Sequence, residues 1–167
     1  MKRLFLLLVS AMLVLGFSGQ SMALPLLYDN FDAEHGGTGA LNYAAFSNWT
    51  VSEGTVDLIG NGFYDFLPGN GLYVDLDGST SDAGIMTSKA SFTFESGALY
   101  EFSFSLAGSN TTRTASETVA IQVALGNLVS DTITLLYNDP FNLFKYSFYG
   151  DGTSGTLGFA KVERVIV

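Results

Sequence analysis

The chain predicts an all-β fold, an antiparallel β-sandwich or jelly roll of about ten strands. Three observations predict it. Apolar and polar residues alternate with a period of two in run after run, the pattern of strands with one buried face. Turn chemistry separates the runs, at a spacing of roughly eight to twelve residues per strand. Ser, Thr, Phe, Tyr and Val dominate the runs, which suits a pleated surface, and no stretch beyond the N-terminus carries a convincing helical pattern.

The first 23 residues read as a cleaved export signal. Lys2 and Arg3 form its positive end, and Leu4 to Phe17 is an apolar run of 14 residues, short for a membrane span. Ser21-Met22-Ala23 places small residues at the cleavage position. The expected mature chain is residues 24–167, one domain of 144 residues that buries about two-thirds of its extended surface, with no membrane span left after cleavage.

Within it, Phe46-Ser47-Asn48-Trp49-Thr50-Val51 reads as a strand entering the core, with Trp49 buried rather than offered to a ligand. Thr55 to Thr80 holds too much Gly and Pro for a helix and is read as strands and turns. Asn61-Gly62, Asn70-Gly71 and Asp77-Gly78 supply the positive φ that tight turns need. Phe92 and Phe94 mark a further strand, Tyr100, Phe102, Phe104 and Leu106 the next. Val119 to Leu125 form another series, then Ile133 and Leu135, then the less regular Leu143, Tyr146 and Phe148. Gly97, Gly108-Ser109-Asn110, Gly126-Asn127, Asn138-Asp139-Pro140 and Gly150-Asp151-Gly152 close these strands.

Charge and composition narrow the chemistry. Loss of Lys2 and Arg3 takes the formal net charge from −9 to −11, which repels phosphate backbones and makes nucleic acid an unsuitable partner. The chain has no Cys, so thiol catalysis, zinc–thiolate sites and disulfides are excluded. Its single His, His35, lies in the Gly-rich loop Glu34-His35-Gly36-Gly37, where a solvated ring is expected. No G-x-S-x-G elbow accompanies it. A non-enzymatic role is therefore expected.

Two constellations remain. Asp75-Leu76-Asp77-Gly78 puts two carboxylates two residues apart beside a sharp turn, and Asp29 and Asp32 form a second acidic pair near the mature N-terminus. Hard cations want such oxygens, and jelly rolls bring the first strand near later turns. Asp29, Asp32, Asp75 and Asp77 are thus candidate ligands of a structural Ca2+. The alternative is an ordinary Asp-Gly turn with Asp29 and Asp32 solvated. The second constellation is the aromatic loop Phe63-Tyr64-Asp65-Phe66-Leu67-Pro68. Sugar rings stack on flat aromatic faces, so Tyr64, with Asp65 and Asn70 bonding hydroxyls, is a candidate platform. The alternative there is that Phe63 and Phe66 cap the end of the sandwich and leave Tyr64 alone exposed.

Asp29-Asn30-Phe31-Asp32, Ala40-Leu41-Asn42-Tyr43, Trp49, Gly54 to Gly60, Pro68-Gly69-Asn70-Gly71 and Tyr73 to Thr80 together resemble one bacterial family: exported PEP-CTERM-type proteins with a galactose-binding-like β-sandwich. The resemblance is densest from Asp29 to Thr80 and looser through Phe159. It implies export, a surface or extracellular location, a fold like that of carbohydrate-binding modules, and no enzymatic activity. Members of that family continue into a Pro-Glu-Pro signal, an apolar span and a basic tail. Here Ala160-Lys161-Val162-Glu163-Arg164-Val165-Ile166-Val167 carries none of these, and Val162 to Val167 is expected to pair as a strand. The leading expectation is a secreted, non-catalytic binder of extracellular polysaccharide. The alternatives are a structural component of matrix or envelope without a small ligand, and a glycoside hydrolase using a carboxylate pair.

Overall fold

The structure, a computed structural model, describes residues 25–80, 82–108 and 118–162. The expected signal segment, the Ser109-Asn110 turn and the strand expected beyond Val162 lie outside the described residues. Within them the fold is all-β, as expected, and its ladders are all antiparallel. The strands are β1 (Trp49–Ser52), β2 (Asp57–Gly60), β3 (Leu72–Asp75), β4 (Ile85–Ser88), β5 (Phe92–Thr93), β6 (Leu99–Leu106), β7 (Thr118–Leu125), β8 (Val129–Leu136), β9 (Asn142–Tyr149), β10 (Ser154–Gly155) and β11 (Leu157–Val162). The helical content among the described residues is one 3-10 turn, Glu34–Gly37.

The largest sheet has five strands in the order β1-β4-β11-β7-β8, and three two-stranded ladders accompany it: β2-β3, β6-β9 and β10-β5. The long strands obey the alternation read from the sequence. In β6, Tyr100, Phe102, Phe104 and Leu106 are half-buried and Leu99, Glu101, Ser103 and Ser105 exposed. Leu143 departs from the expected pattern. The inward series of β9 is Phe144, Tyr146 and Phe148, which leaves Leu143 on the outer face, 61% exposed.

The core lies between the five-stranded sheet and the smaller ladders. Trp49 and Met86 from β1 and β4 pack with Phe46 against Val56, Leu58 and Leu72 of the β2–β3 side. Ile121 and Val123 of β7 and Ile133 and Leu135 of β8 pack against Phe102, Phe104, Phe144 and Tyr146. Leu157 and Phe159 of β11 touch both clusters. The Phe159 ring stands 5.0 Å from Phe104 and 5.9 Å from Trp49. The largest fully buried side chains are Phe46, Leu58, Leu72, Val56 and Val123, each contributing about 1.5–3 kcal/mol. Four of the five belong to the cluster beneath β2–β3.

At β8, the outermost strand of the five, Asp131 Oδ1 accepts the Thr132 N–H at 2.7 Å and Asp139 Oδ2 the Leu136 N–H at 2.8 Å, which blunts an edge open to pairing. Tyr146 of β9 donates to Asp131 Oδ2 at 2.7 Å and ties the two layers together.

Candidate functional site

The site grows from the β2–β3 hairpin. Val56, Leu58, Leu72 and Val74 face the core, so by strand alternation Asp57, Ile59, Tyr73 and Asp75 take the outer face. The register sets Asp57 opposite Asp75 and Ile59 opposite Tyr73. At the end of β2 the chain turns in two residues, Asn61 and Gly62, closed by reciprocal 2.9 Å bonds between Gly60 and Phe63. Their φ values, +52° and +85°, are the left-handed pair that a tight type I′ hairpin requires.

Beyond that turn the loop folds over the outer face. Tyr64 is held at φ +44°, a left-handed conformation uncommon for a bulky side chain, and remains 57% exposed. Phe63 meets it edge-on at 4.9 Å. The alternative in which Phe63 caps the sandwich end does not describe its place. It is itself exposed, one side of its ring resting close on Gly39. Asp65 accepts the Gly62 N–H and the Tyr73 hydroxyl, both at 3.1 Å, and Tyr73 in turn accepts the Leu67 N–H at 2.9 Å. Burial, with the Asp65 carboxylate adding to it, raises the Tyr73 hydroxyl above the usual phenol range. Asn70 Nδ2 donates to Leu67 O at 2.7 Å. Of the three residues read as a sugar platform, Tyr64 is therefore presented to solvent, while Asp65 and Asn70 spend their polar groups shaping the loop.

Between this loop and the outer face lies a shallow depression of about 240 Å³. Tyr64 and Phe66 form one wall, and Tyr137, from the turn after β8, another. Asp57, Asp75 and Asp77 bring carboxylates to it, with Ile59 and Ser79 between. Asp57 is 5% exposed; its Oδ1 accepts the Asn42 N–H at 2.6 Å and its Oδ2 the Ser79 hydroxyl at 2.5 Å. Asp75 Oδ1 accepts the Asp77 N–H at 2.9 Å, and Asp77 pairs with Lys161 of β11 at 2.5 Å. Desolvation pushes the Asp75 carboxyl above the ordinary carboxylate range, and the neighbouring Asp77 and Asp57 charges push the same way; the Asp77 N–H and Lys161 oppose them.

The four carboxylates read as a calcium set do not come together. Asp32 Oδ1 accepts the Leu72 N–H at 2.9 Å, at the start of β3, whereas Asp75 ends that strand, about 10 Å away at strand rise. Asp29 serves another purpose: its Oδ2 accepts Trp49 Nε1–H at 2.9 Å and Asn48 Nδ2–H at 3.0 Å, and its Oδ1 the Phe31 N–H at 2.9 Å. Among the described residues no three His, Cys, Asp or Glu side chains stand where they would hold a metal ion. His35 is exposed, as expected, with Nδ1 3.1 Å from Thr38 O. Trp49 is buried, also as expected.

Asp57 and Tyr137 are the lining residues that sequence reading missed. A signal for Asp57 exists: with Val56 and Leu58 read as inward, Asp57 must share the outer face with Ile59. Tyr137 carries no such signal, because it arrives from a turn roughly sixty residues further along. Chemically, the depression offers flat rings and oxygen acceptors to a ligand bearing hydroxyl or ammonium donors. No protein-family model, curated protein or solved structure matches this chain.

Proposed function

We propose that this protein is an exported, non-catalytic carbohydrate-binding domain whose site is the depression on the outer face of β2–β3. One observation carries the reading: exposed Tyr64, with half-buried Phe66, shares one concave surface with the half-buried Asp75, over a floor that includes buried Asp57 and Tyr137. Aromatic faces take the apolar side of a sugar ring and carboxylates take its hydroxyl donors. The left-handed backbone at Tyr64, a conformation that costs a non-glycine residue about 1–2 kcal/mol, holds the ring out over the depression, and such outliers gather at binding sites. The resemblance to exported PEP-CTERM-type sandwiches supports the same reading.

Binding fits better than hydrolysis. A carboxylate-pair hydrolase needs one carboxyl to give a proton and another to attack or to activate water. Here both Asp57 oxygens accept internal bonds and Asp77 is paired with Lys161. The test is a pull-down on a panel of neutral, acidic and cationic polysaccharides, repeated with Tyr64→Ala. The expected result is retention of the wild-type chain and loss with the variant. Retention by no polysaccharide, with self-association in its place, would favour a matrix or envelope component.

A second reading has its own observation. Because Asp75 and Asp77 line one depression, a structural Ca2+ bound by these two carboxylates, with backbone carbonyls and water completing its shell, is the form in which the calcium proposal stands. At millimolar calcium and a Kd of about 0.1–1 mM it adds about 0.4–1.4 kcal/mol, read as a rise in melting temperature against EDTA.

A further inference from the structure

We propose that the sugar unit recognised in the Tyr64–Tyr137 depression carries a protonated amine, so that the ligand is a polymer containing unacetylated amino sugars. The inference rests on the carbohydrate reading and sharpens it. Its ground is the mismatch of charge inside an aromatic-walled cavity. Asp57 faces the depression from β2, Asp75 from β3 and Asp77 from the turn that follows; Tyr64, Phe66 and Tyr137 supply rings, and no Lys, Arg or His lines it among the described residues. Lys161 reaches it only as the partner of Asp77.

With the Asp57 oxygens bonded internally and Lys161 serving Asp77, the carboxylate left to the ligand is Asp75; a neutral sugar seated there would strip its remaining water and return hydroxyl donors without a countercharge, which is costly. An ammonium group reverses the balance. It makes charge-assisted bonds, roughly twice as strong as neutral ones, and gains further from nearby ring faces. The acidic chain as a whole, with a formal net charge of −9, draws a cationic polymer toward it.

The experiment is calorimetric titration of the full chain with glucosamine oligomers and with N-acetylglucosamine oligomers of equal length, at a pH that protonates the free amines. The expected result is binding of the glucosamine series at least about tenfold tighter. Tyr64→Ala, which leaves the net charge unchanged, abolishes it, and Asp75→Asn brings the two series to within about threefold. Equal affinity for both series overturns the inference and leaves the carbohydrate reading standing. Glucosamine binding that survives Tyr64→Ala marks general ionic adsorption and overturns it as well. Binding that appears only with added calcium, and disappears in EDTA, overturns it by giving the carboxylates to a metal. Failure to bind any polymer of the polysaccharide panel removes the carbohydrate reading and the inference together.

Discussion

Removing the Asp29 carboxylate tests whether this residue is a bracket for the core. In the Asp29→Ala variant the indole N–H of Trp49 loses its acceptor while the ring stays 5% exposed. Losing a bond to a charged acceptor and leaving a buried donor without a partner costs about 1.5–3 kcal/mol. The Phe31 N–H, in a residue held at φ +62°, loses a second bond worth about 0.5–1.5 kcal/mol. The Asn48 amide can turn to water and adds little. The total is about 2–4 kcal/mol, or some 5–15 °C in melting temperature at about 2–4 °C per kcal/mol for a domain of this size. The assay is urea unfolding followed by the fluorescence of Trp49, the single Trp of the chain. Trp49→Phe in the Asp29→Ala background, followed by circular dichroism, should lose less than the sum of the single variants by about 1–2 kcal/mol, because donor and acceptor then leave together. A loss below about 0.5 kcal/mol, the range of a surface substitution, would refute the reasoning. So would wild-type protein in EDTA that matches the variant, since that would make Asp29 a metal ligand.

Other outcomes follow from the same geometry. Gly71 has φ +72°, and a Cβ there would run into the Asp32 carboxylate, whereas Gly62, at φ +85°, has open space around it. Gly71→Ala should therefore lose about 2–4 kcal/mol and Gly62→Ala only about 1 kcal/mol, by urea unfolding; equal losses would show that the Asp32 contact is irrelevant. Asp75 binds its proton more tightly in the folded than in the unfolded chain. Its contribution to stability therefore falls as pH rises from the ordinary carboxylate value through the raised one, and is least favourable at neutral pH. Asp75→Asn should raise the urea midpoint at neutral pH and shrink the gain on mild acidification; a variant less stable than wild type at neutral pH would contradict the sign.

The long strands were legible because one physical fact, alternation, writes itself directly into sequence. Phe102 and Phe104 announce an inward face without reference to anything distant, and β6 to β9 follow from that rule. The Asn61-Gly62 turn was legible because few residues tolerate its backbone. The site was not. Asp57 in a strand looks like any solvated acid until the register sets it against Asp75, and register depends on pairing across the loop. Asp65 and Asn70 are typical sugar-binding residue types, yet polar side chains in a tight loop find their nearest partners in the loop itself, and both did so. Asp29 and Asp77 are close to turns in sequence and far apart in role: one meets an indole, the other a lysine from β11.

The position of β11 governs when the large sheet can close. β1 and β4 form one half and β7 and β8 the other, and the halves join only through β11, which pairs with Thr87, Met86 and Ile85 on one side and with six consecutive residues of β7 on the other. The five-stranded sheet is incomplete until residues 157–162 have joined it, whereas the β2-β3 and β6-β9 ladders need no contribution from β11. Without it two strand pairs remain unjoined, and Trp49 and Phe104 lack the Phe159 ring that both pack against. The large sheet and the bridge between its two core clusters are thereby set in one step, when β11 docks between β4 and β7.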